Sequence, residues 1–298
     1  MTLTIKAFQA LSLDHIQQVR ALETTVMAYD GTKRRAYLSN QYNADPAMPA
    51  FFMAYQGSDL VGFLSIYADE PPYGDITVFV DPARRRQGIA TLLLAQAHQV
   101  GKTYGIHDWQ YMTESVFMDQ VPDLANRWHY EPDQAEWILE LDLRKEEAPV
   151  SKQTASHRNE GLEARVQARL ACEADCEALA QINAHAFETD IELGRLYLSQ
   201  AMSDPNSQVW LIAYQDKAVG TLIIDLTSGV DYYFGLAIDP AFQARGIGKE
   251  GLAQVLKTRS SDRIQQLQVE VDNLAAIAIY EANGFKKVSQ VRYINKVR

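Results

Sequence analysis

The stretch "DPARRRQGIA" at positions 81–90 returns as "DPAFQARGIG" at 239–248. Asp81 and Asp239 stand 158 positions apart. The same offset aligns Val61-Gly62 with Val219-Gly220, Leu64 with Leu222, Ile66 with Ile224, and "LAQ" at 94–96 with "LAQ" at 252–254. Just upstream, "AYQGSDLVG" matches "AYQDKAVG" after one gap in a turn. A register held this long through strand, turn and helix marks a duplicated domain rather than a short solenoid unit. With 298 residues, 47% of them apolar, the chain has material for two cores. The polar run "KEEAPVSKQTASHRNEG" at 145–161 lacks apolar periodicity and predicts a linker, placing domains at 1–144 and 162–298.

Each repeat reads as an α/β unit. An opening strand ("LTIKAFQ"; "EARVQARL") precedes a helix ("LDHIQQVRALETTV"; "EADCEALAQINAHAF"). A hairpin follows, turning at Gly57-Ser58-Asp59 in one copy and Asp216-Lys217 in the other. A fourth strand ("DITVFV"; "YYFGLAI") ends at Asp-Pro, the glycine loop opens a helix, and a fifth strand, a further helix and a closing strand ("AEWILELDL"; "KVSQVRYINK") complete the unit. The loop explains why the glycines recur. The first backbone N–H groups of a helix have no partner within it, and its dipole makes that end positive. Glycine brings the backbone close to a ligand without a Cβ in the way. The two loops are therefore expected anion cradles of a kind that suits a diphosphate, with Arg84, Arg85 and Arg86 or Arg245 adding charge.

In their order of strand, Asp-Pro, Gln/Arg-x-x-Gly-x-Gly/Ala and amphipathic helix, both stretches resemble motif A of the GNAT superfamily of acetyl-CoA-dependent N-acetyltransferases. "RRQGIA" (Arg85–Ala90) and "QARGIG" (Gln243–Gly248) carry the pattern, and the resemblance covers nearly the whole chain outside the linker. It implies two tandem domains, each a mixed, mostly antiparallel sheet flanked by helices, with strands four and five splayed around coenzyme A. It also implies coenzyme contacts. In the second half these involve Leu236, Ala237, Ile238, Gln243, Ala244, Arg245, Gly246, Ile247, Gly248 and Lys249; in the first, Val78, Val80, Arg85, Arg86, Gln87, Gly88, Ile89 and Ala90.

"VEVDNLAAIAIYEANGFKKV" (269–288) adds a second signal. Asp272 or Asn273 can cap a helix, Asn283-Gly284 can end it, and Asn273 and Tyr280 lie about two turns apart on one face. The run resembles motif B of the same superfamily, with Asn273, Ala276, Tyr280, Gly284 and Phe285 in place. The resemblance makes Asn273 and Ala276 coenzyme neighbours and Tyr280 the proton donor to the departing thiolate. Such a donor is chemically useful, because a thiol with a pKa of about 8.5 leaves more easily when protonated. The attacking ammonium, titrating near 10, must in turn lose a proton. Glu270, on the polar face of "LQVEV" opposite Leu267, Val269 and Val271, and Asp231, beside Tyr232-Tyr233, are the candidate bases. The first half has no such run. Ala125 stands opposite Tyr280, His129 opposite Gly284, and "ESVFMDQVPDLANRW" contains a proline, leaving Tyr111 or Tyr130 as substitutes. It is expected to keep a cradle without catalysing.

The expected function is therefore transfer of an acetyl group from acetyl-CoA to a primary amine, directly within a ternary complex and in the C-terminal domain. An acyl-CoA-binding sensor and an aminoacyl transferase of the same fold are the alternatives. The formal charge of −10 argues against nucleic acid as partner and permits a small cationic amine. Cys172 and Cys176 match no zinc or redox spacing, and His98, His107, His129 and His185 form no ligand set, so no metal is expected. No stretch has the length of a membrane helix and no signal-peptide layout opens the chain, which predicts a cytoplasmic protein, monomer or homodimer.

Overall fold

A computed structural model describes residues 2–145 and 160–296. The side chains of 125–133, 160, 163 and 296 lie outside the description, as do residues 146–159, which make up most of the expected linker. The chain divides into two compact units: Met1–Trp137 with Ser289–Arg298, and Ile138–Val288.

In unit 1, β1 (Leu3–Phe8) leads to α1 (Leu13–Asp30), β2 (Phe51–Gln56), β3 (Asp59–Tyr67), β4 (Tyr73–Val80), α2 (Ile89–Thr103), β5 (Asp108–Glu114), α3 (Ser115–Gln120), α4 (Pro122–Arg127) and β6 (Trp128–Leu141), which begins in unit 1 and ends in unit 2. Unit 2 contains α5 (Glu160–Glu163), β7 (Val166–Leu170), α6 (Cys176–Phe187), α7 (Ile191–Ser203), β8 (Ser207–Tyr214), β9 (Lys217–Asp225), β10 (Asp231–Ile238), α8 (Ile247–Leu256), β11 (Gln265–Glu270) and α9 (Leu274–Glu281). The last strand, β12 (Lys286–Lys296), begins in unit 2 and ends in unit 1. Strands neighbour one another in the order β1-β2-β3-β4-β5-β12 in unit 1 and β6-β11-β10-β9-β8-β7 in unit 2. The β4–β5 and β10–β11 pairs are parallel, while the hairpin strands pair antiparallel, as expected of the fold.

Local chemistry sets the helix limits. Ser12 caps α1 by accepting from His15 N, and Gly31, with φ of 73°, ends it. Asn273 rather than Asp272 caps α9, accepting from Ala276 N at 3.1 Å, and Gly284 follows with φ of 92°. The recurring Val-Gly has a packing reason. A Cβ on Gly62 would stand 2.8 Å from Ile89 Cγ2, and one on Gly220 would stand 2.4 Å from Ile238 Cδ1. Glycine there lets each cradle helix and strand end lie close against the sheet.

The closing strands do not follow the repeat. The sequence groups 289–298 with the second half and 138–144 with the first, yet Ser289–Arg298 packs in unit 1 and Ile138 onward in unit 2. Val291↔Glu114 and Ile294↔Tyr111 pair β12 with β5. Ser289 Oγ donates to Glu114 and Tyr293 Oη to Glu136 at 2.8 Å. In unit 2, Gln266 Nε2 donates to Glu140 Oε1 at 2.8 Å. Removing 289–298 would therefore damage unit 1, losing buried Val291 and Ile294. At about 1.5–3 kcal/mol per buried aliphatic side chain, urea unfolding should show a loss of at least about 3 kcal/mol. An unchanged midpoint would contradict this assignment of the strand.

Candidate active site

Both Asp-Pro turns are built alike. Asp81 and Asp239 each accept from the N–H two residues on, at 2.9 Å, and a proline opens one turn of 3-10 helix. Arg86 (φ 63°) and Ala244 (φ 58°) reverse the chain, and Gly88 (φ 80°) and Gly246 (φ 79°) sit at the helix N-caps. The first bonds of the two helices are Leu92 N to Gly88 O and Glu250 N to Gly246 O. The N–H groups of Ile89, Ala90 and Thr91, and of Ile247, Gly248 and Lys249, therefore start the helices outside its ladder. These are the groups expected to hold a diphosphate.

The side chains at the two turns differ. Gln243 donates to Ile238 O at 2.9 Å. Its counterpart Arg85 donates to Val80 O at 3.2 Å and also grips buried Asp30 bidentately at 2.7 and 2.6 Å, lying over the rings of Tyr29 and Phe117. Arg245 stacks on Phe242 and donates to Ala241 O at 2.8 Å. Arg85 is thus a brace for its loop, whereas Arg84 and Arg86 are exposed on the cleft. Asp30 carried no sequence signal as a loop partner, because it lies 55 residues from Arg85.

Next to the unit 1 loop lies a cavity of about 660 Å³, lined by the loop, by Thr77–Val80 of β4, and by Tyr111 and Glu114 of β5. That is ample for a small-molecule ligand. Buried Glu114 accepts from Lys33 N and Arg34 N at 2.8–2.9 Å and from Ser289 Oγ, which fixes the segment after α1. Tyr111 Oη meets His98 Nε2 at 2.8 Å, and burial pushes its phenol up to about 12. Tyr130 and His129 fall outside the described side chains. His107 and His185 stand 3.6 and 3.7 Å from Asp108 and Asp239. Among the described residues no group of three His, Cys, Asp or Glu is placed to hold a metal ion, and no helix is long and apolar enough to cross a membrane.

The fourth strands of the two units differ in their pairing. In unit 1, β3 and β4 keep an unbroken register from Gly62↔Val80 to Tyr67↔Asp75. In unit 2 the register between β9 and β10 shifts between Phe234 and Ala237, with Gly235 at φ of 61° inside the bulge. β10 pairs with β11 through Asp231↔Gln265, Tyr232↔Gln266 and Tyr233↔Leu267, and the bulge begins where that pairing stops. The bulge sets Gly235 and Leu236 against Leu222 alone and takes their backbone groups out of the regular ladder, beside the opening between the strands. The glycine within "YYFGLAI" was the available signal.

Tyr280 packs edge-on against Phe285, which packs edge-on against Tyr233 at the start of the opening. Its side chain is 8% exposed and burial pushes its phenol up to about 12. Asn283, next to the helix end, bonds Ile279 O and Lys249 O at 2.9 and 3.3 Å, tying α9 to the cradle helix. Ala276, which supplies the capped N–H, lies one turn before Tyr280. Glu270 is exposed at the end of β11, while Leu267 and Val269 on the other face are buried. Asp231 is fully buried, with one oxygen held by Arg259 at 2.8–2.9 Å and the other by Arg263 at 2.6 Å. A carboxylate engaged twice and sealed from the cleft anchors the sheet and is not positioned to act as a base.

These loops and strands coincide with a known family. The model of the acetyltransferase (GNAT) family matches twice, at residues 16–125 and 176–285. The chain belongs to the GNAT family, a class of acetyl-CoA-dependent N-acetyltransferases. It is 33% identical over 134 residues to a mycothiol acetyltransferase of Beutenbergia cavernae, covering 39% of this chain and 43% of that protein. It is 25% identical over 294 residues to one of Thermobispora bispora, covering 91% of this chain and 92% of that protein. Its fold matches a tandem GNAT protein from the clavulanic acid biosynthesis pathway, with a TM-score of 0.67 over 98% of both chains at 16% identity.

One group in unit 1 has an informative titration. Burial pushes Asp75 on β4 up to about 6, with Arg34 opposing the shift and Asp69 and Glu136 adding to it. The folded state therefore holds this proton to a higher pH than the unfolded chain, and stability falls as pH rises from about 4 to about 6. Asp75→Asn should raise the unfolding free energy at pH 7.5 by about 1–3 kcal/mol, with the gain gone below pH 4. Urea titrations at the two pH values check it.

Proposed function

We propose that the C-terminal unit transfers the acetyl group of acetyl-CoA to a primary amine of a small molecule, directly in a ternary complex, while the N-terminal unit keeps a coenzyme cleft without catalysing. The observation that carries this reading is the bulge at Gly235, present in β10 and replaced in β4 by regular pairing. Backbone N–H groups freed at a bulge can polarise a carbonyl placed in the opening, which is where transition-state charge develops in acyl transfer. The cradle N–H groups of 246–249 hold the diphosphate end, and the free edge of Leu236–Ile238 pairs with the arm. The mycothiol acetyltransferase relatives and the family match support the class of reaction.

Tyr280 is the proposed acid. Its environment keeps the phenol protonated well above neutral pH, so it arrives at the departing sulfur with a proton to give. Asn273 and Ala276 form the helix start that sets its height. Glu270 remains the proposed base, since its exposed carboxylate can pass the ammonium proton to water. The cleft of unit 1, with exposed Arg84 and Arg86, favours binding of the same coenzyme there without turnover.

Tyr280→Phe should lower kcat for coenzyme A release by about 10²–10⁴-fold. The acetyl-CoA dissociation constant, measured by calorimetry, should stay within about twofold. An unchanged kcat would remove Tyr280 from the mechanism.

A further inference from the structure

Four side chains in unit 2, Asn183, Trp210, Thr221 and Ser228, are more than nine-tenths buried and carry a polar atom with no partner among the described residues; two of them lie on α6 and β9. Asn183 on α6 is 6% exposed and Thr221 on β9 is 0% exposed. Among the described residues no group hydrogen-bonds Asn183 Oδ1 or Thr221 Oγ1. Buried polar atoms in native proteins nearly always have partners, so the exceptions on α6 and β9 call for a reason.

Their positions supply one. Gly220 shares its sheet face with Ile212, the side chain that a Cβ on Gly251 of α8 would strike, so that face looks toward α8. Thr221 projects to the opposite face, where α6 packs on β9 and β10. It stands opposite Ala237, the first residue paired after the bulge. Asn183 follows buried Leu179 and Ile182 on α6 just as Glu23 follows buried Val19 and Leu22 on α1. Glu23 lines the unit 1 cavity, where it is occupied by Arg20, Arg35 and Ala36 N. Asn183 holds the same place without partners.

The unit 1 counterparts of Val209, Thr221 and Ala237 are Phe51, Phe63 and Phe79, with Phe63 stacked on Phe51 at 6.4 Å and tilted against Phe79 at 5.3 Å. Three aromatic rings fill in unit 1 the face that unit 2 gives to smaller residues and an unbonded hydroxyl. The same half has the bulge.

We propose that Asn183 and Thr221 are specificity-determining residues of the acceptor site, binding an uncharged hydroxyl next to the amine that is acetylated. This rests on the reading of unit 2 as the catalytic half. The Asn183 carbonyl oxygen accepts from an O–H or N–H, and the Thr221 hydroxyl donates or accepts. Neither carries charge, so the pair selects an amino alcohol or amino sugar over a plain alkylamine. A site built to bond a hydroxyl rejects the analogue lacking it, since its buried groups are then left bare.

The test uses the full-length protein with two acceptors that differ by one hydroxyl, trans-2-aminocyclohexanol and cyclohexylamine, with coenzyme A release as readout. Wild type should prefer the amino alcohol by about tenfold or more in kcat/KM. The shape-conserving variants Thr221→Val and Asn183→Leu should each lose most of that preference through a higher acceptor KM, with the acetyl-CoA dissociation constant unchanged. Thr221→Val should not lower Tm, because it removes a buried hydroxyl that bonds nothing in the free protein. A residue with a merely structural role would change Tm and leave the acceptor preference alone, and that result overturns the proposal. Equal turnover of both amines by wild type overturns it while leaving the catalytic reading intact. Turnover of neither amine, with acetyl-CoA still bound, overturns both.

Discussion

The molecule depends on one local arrangement, a helix whose first N–H groups are left open by a left-handed glycine immediately before it. At Gly88 and Gly246 the chain leaves a strand, reverses through a residue of positive φ and enters the helix with three amides outside the ladder. The dipole of α2 or α8 adds to those amides, and nothing covalent is required of the loop. The glycines at 62 and 220 let the segment lie close against the sheet. An anion site made this way survives duplication easily, since it asks little of the rest of the domain. Both halves have the same loop geometry.

Chemistry asks for more, and there the halves part. Unit 2 has a break in strand pairing at the bulge, a protonated phenol in a helix fastened to the cradle helix through Asn283, and a sheet opening that starts at Tyr233. Unit 1 has regular pairing in β4, a face filled by phenylalanines and a loop braced by the Arg85–Asp30 pair. A braced loop beside a well-formed cavity suits retention of a ligand. A strand with freed N–H groups suits stabilising charge that appears during reaction.

Sequence reasoning reached what is local and periodic. The duplication, the two turns, a cap at Asp272 or Asn273 and the alternation along Leu267–Glu270 are patterns of neighbouring residues, and the structure contains them with Asn273 as the cap, whereas Gln265 and Gln266, on opposite faces, are both buried. It missed what depends on distant partners. Asp231 looked like a free carboxylate because Arg259 and Arg263 lie 28 and 32 residues along the chain and come back in the segment between α8 and β11. A closing strand of period two carries no mark of which sheet it will join, and Ser289–Arg298 groups with unit 1 although the repeat aligns it with the second half. Gly235 and the phenylalanine-to-threonine change at 221 were visible as letters, yet their meaning came only from the register of β9 and β10.

The central claim is that catalysis runs through the cradle of the second unit alone. Steady-state coenzyme A release, with valine placed at Gly88 or at Gly246 to spoil one loop at a time, measures it most directly. The account predicts a loss of at least 100-fold in kcat/KM for Gly246→Val and a change within about threefold for Gly88→Val. The reverse pattern, with the first loop essential and the second dispensable, would contradict it.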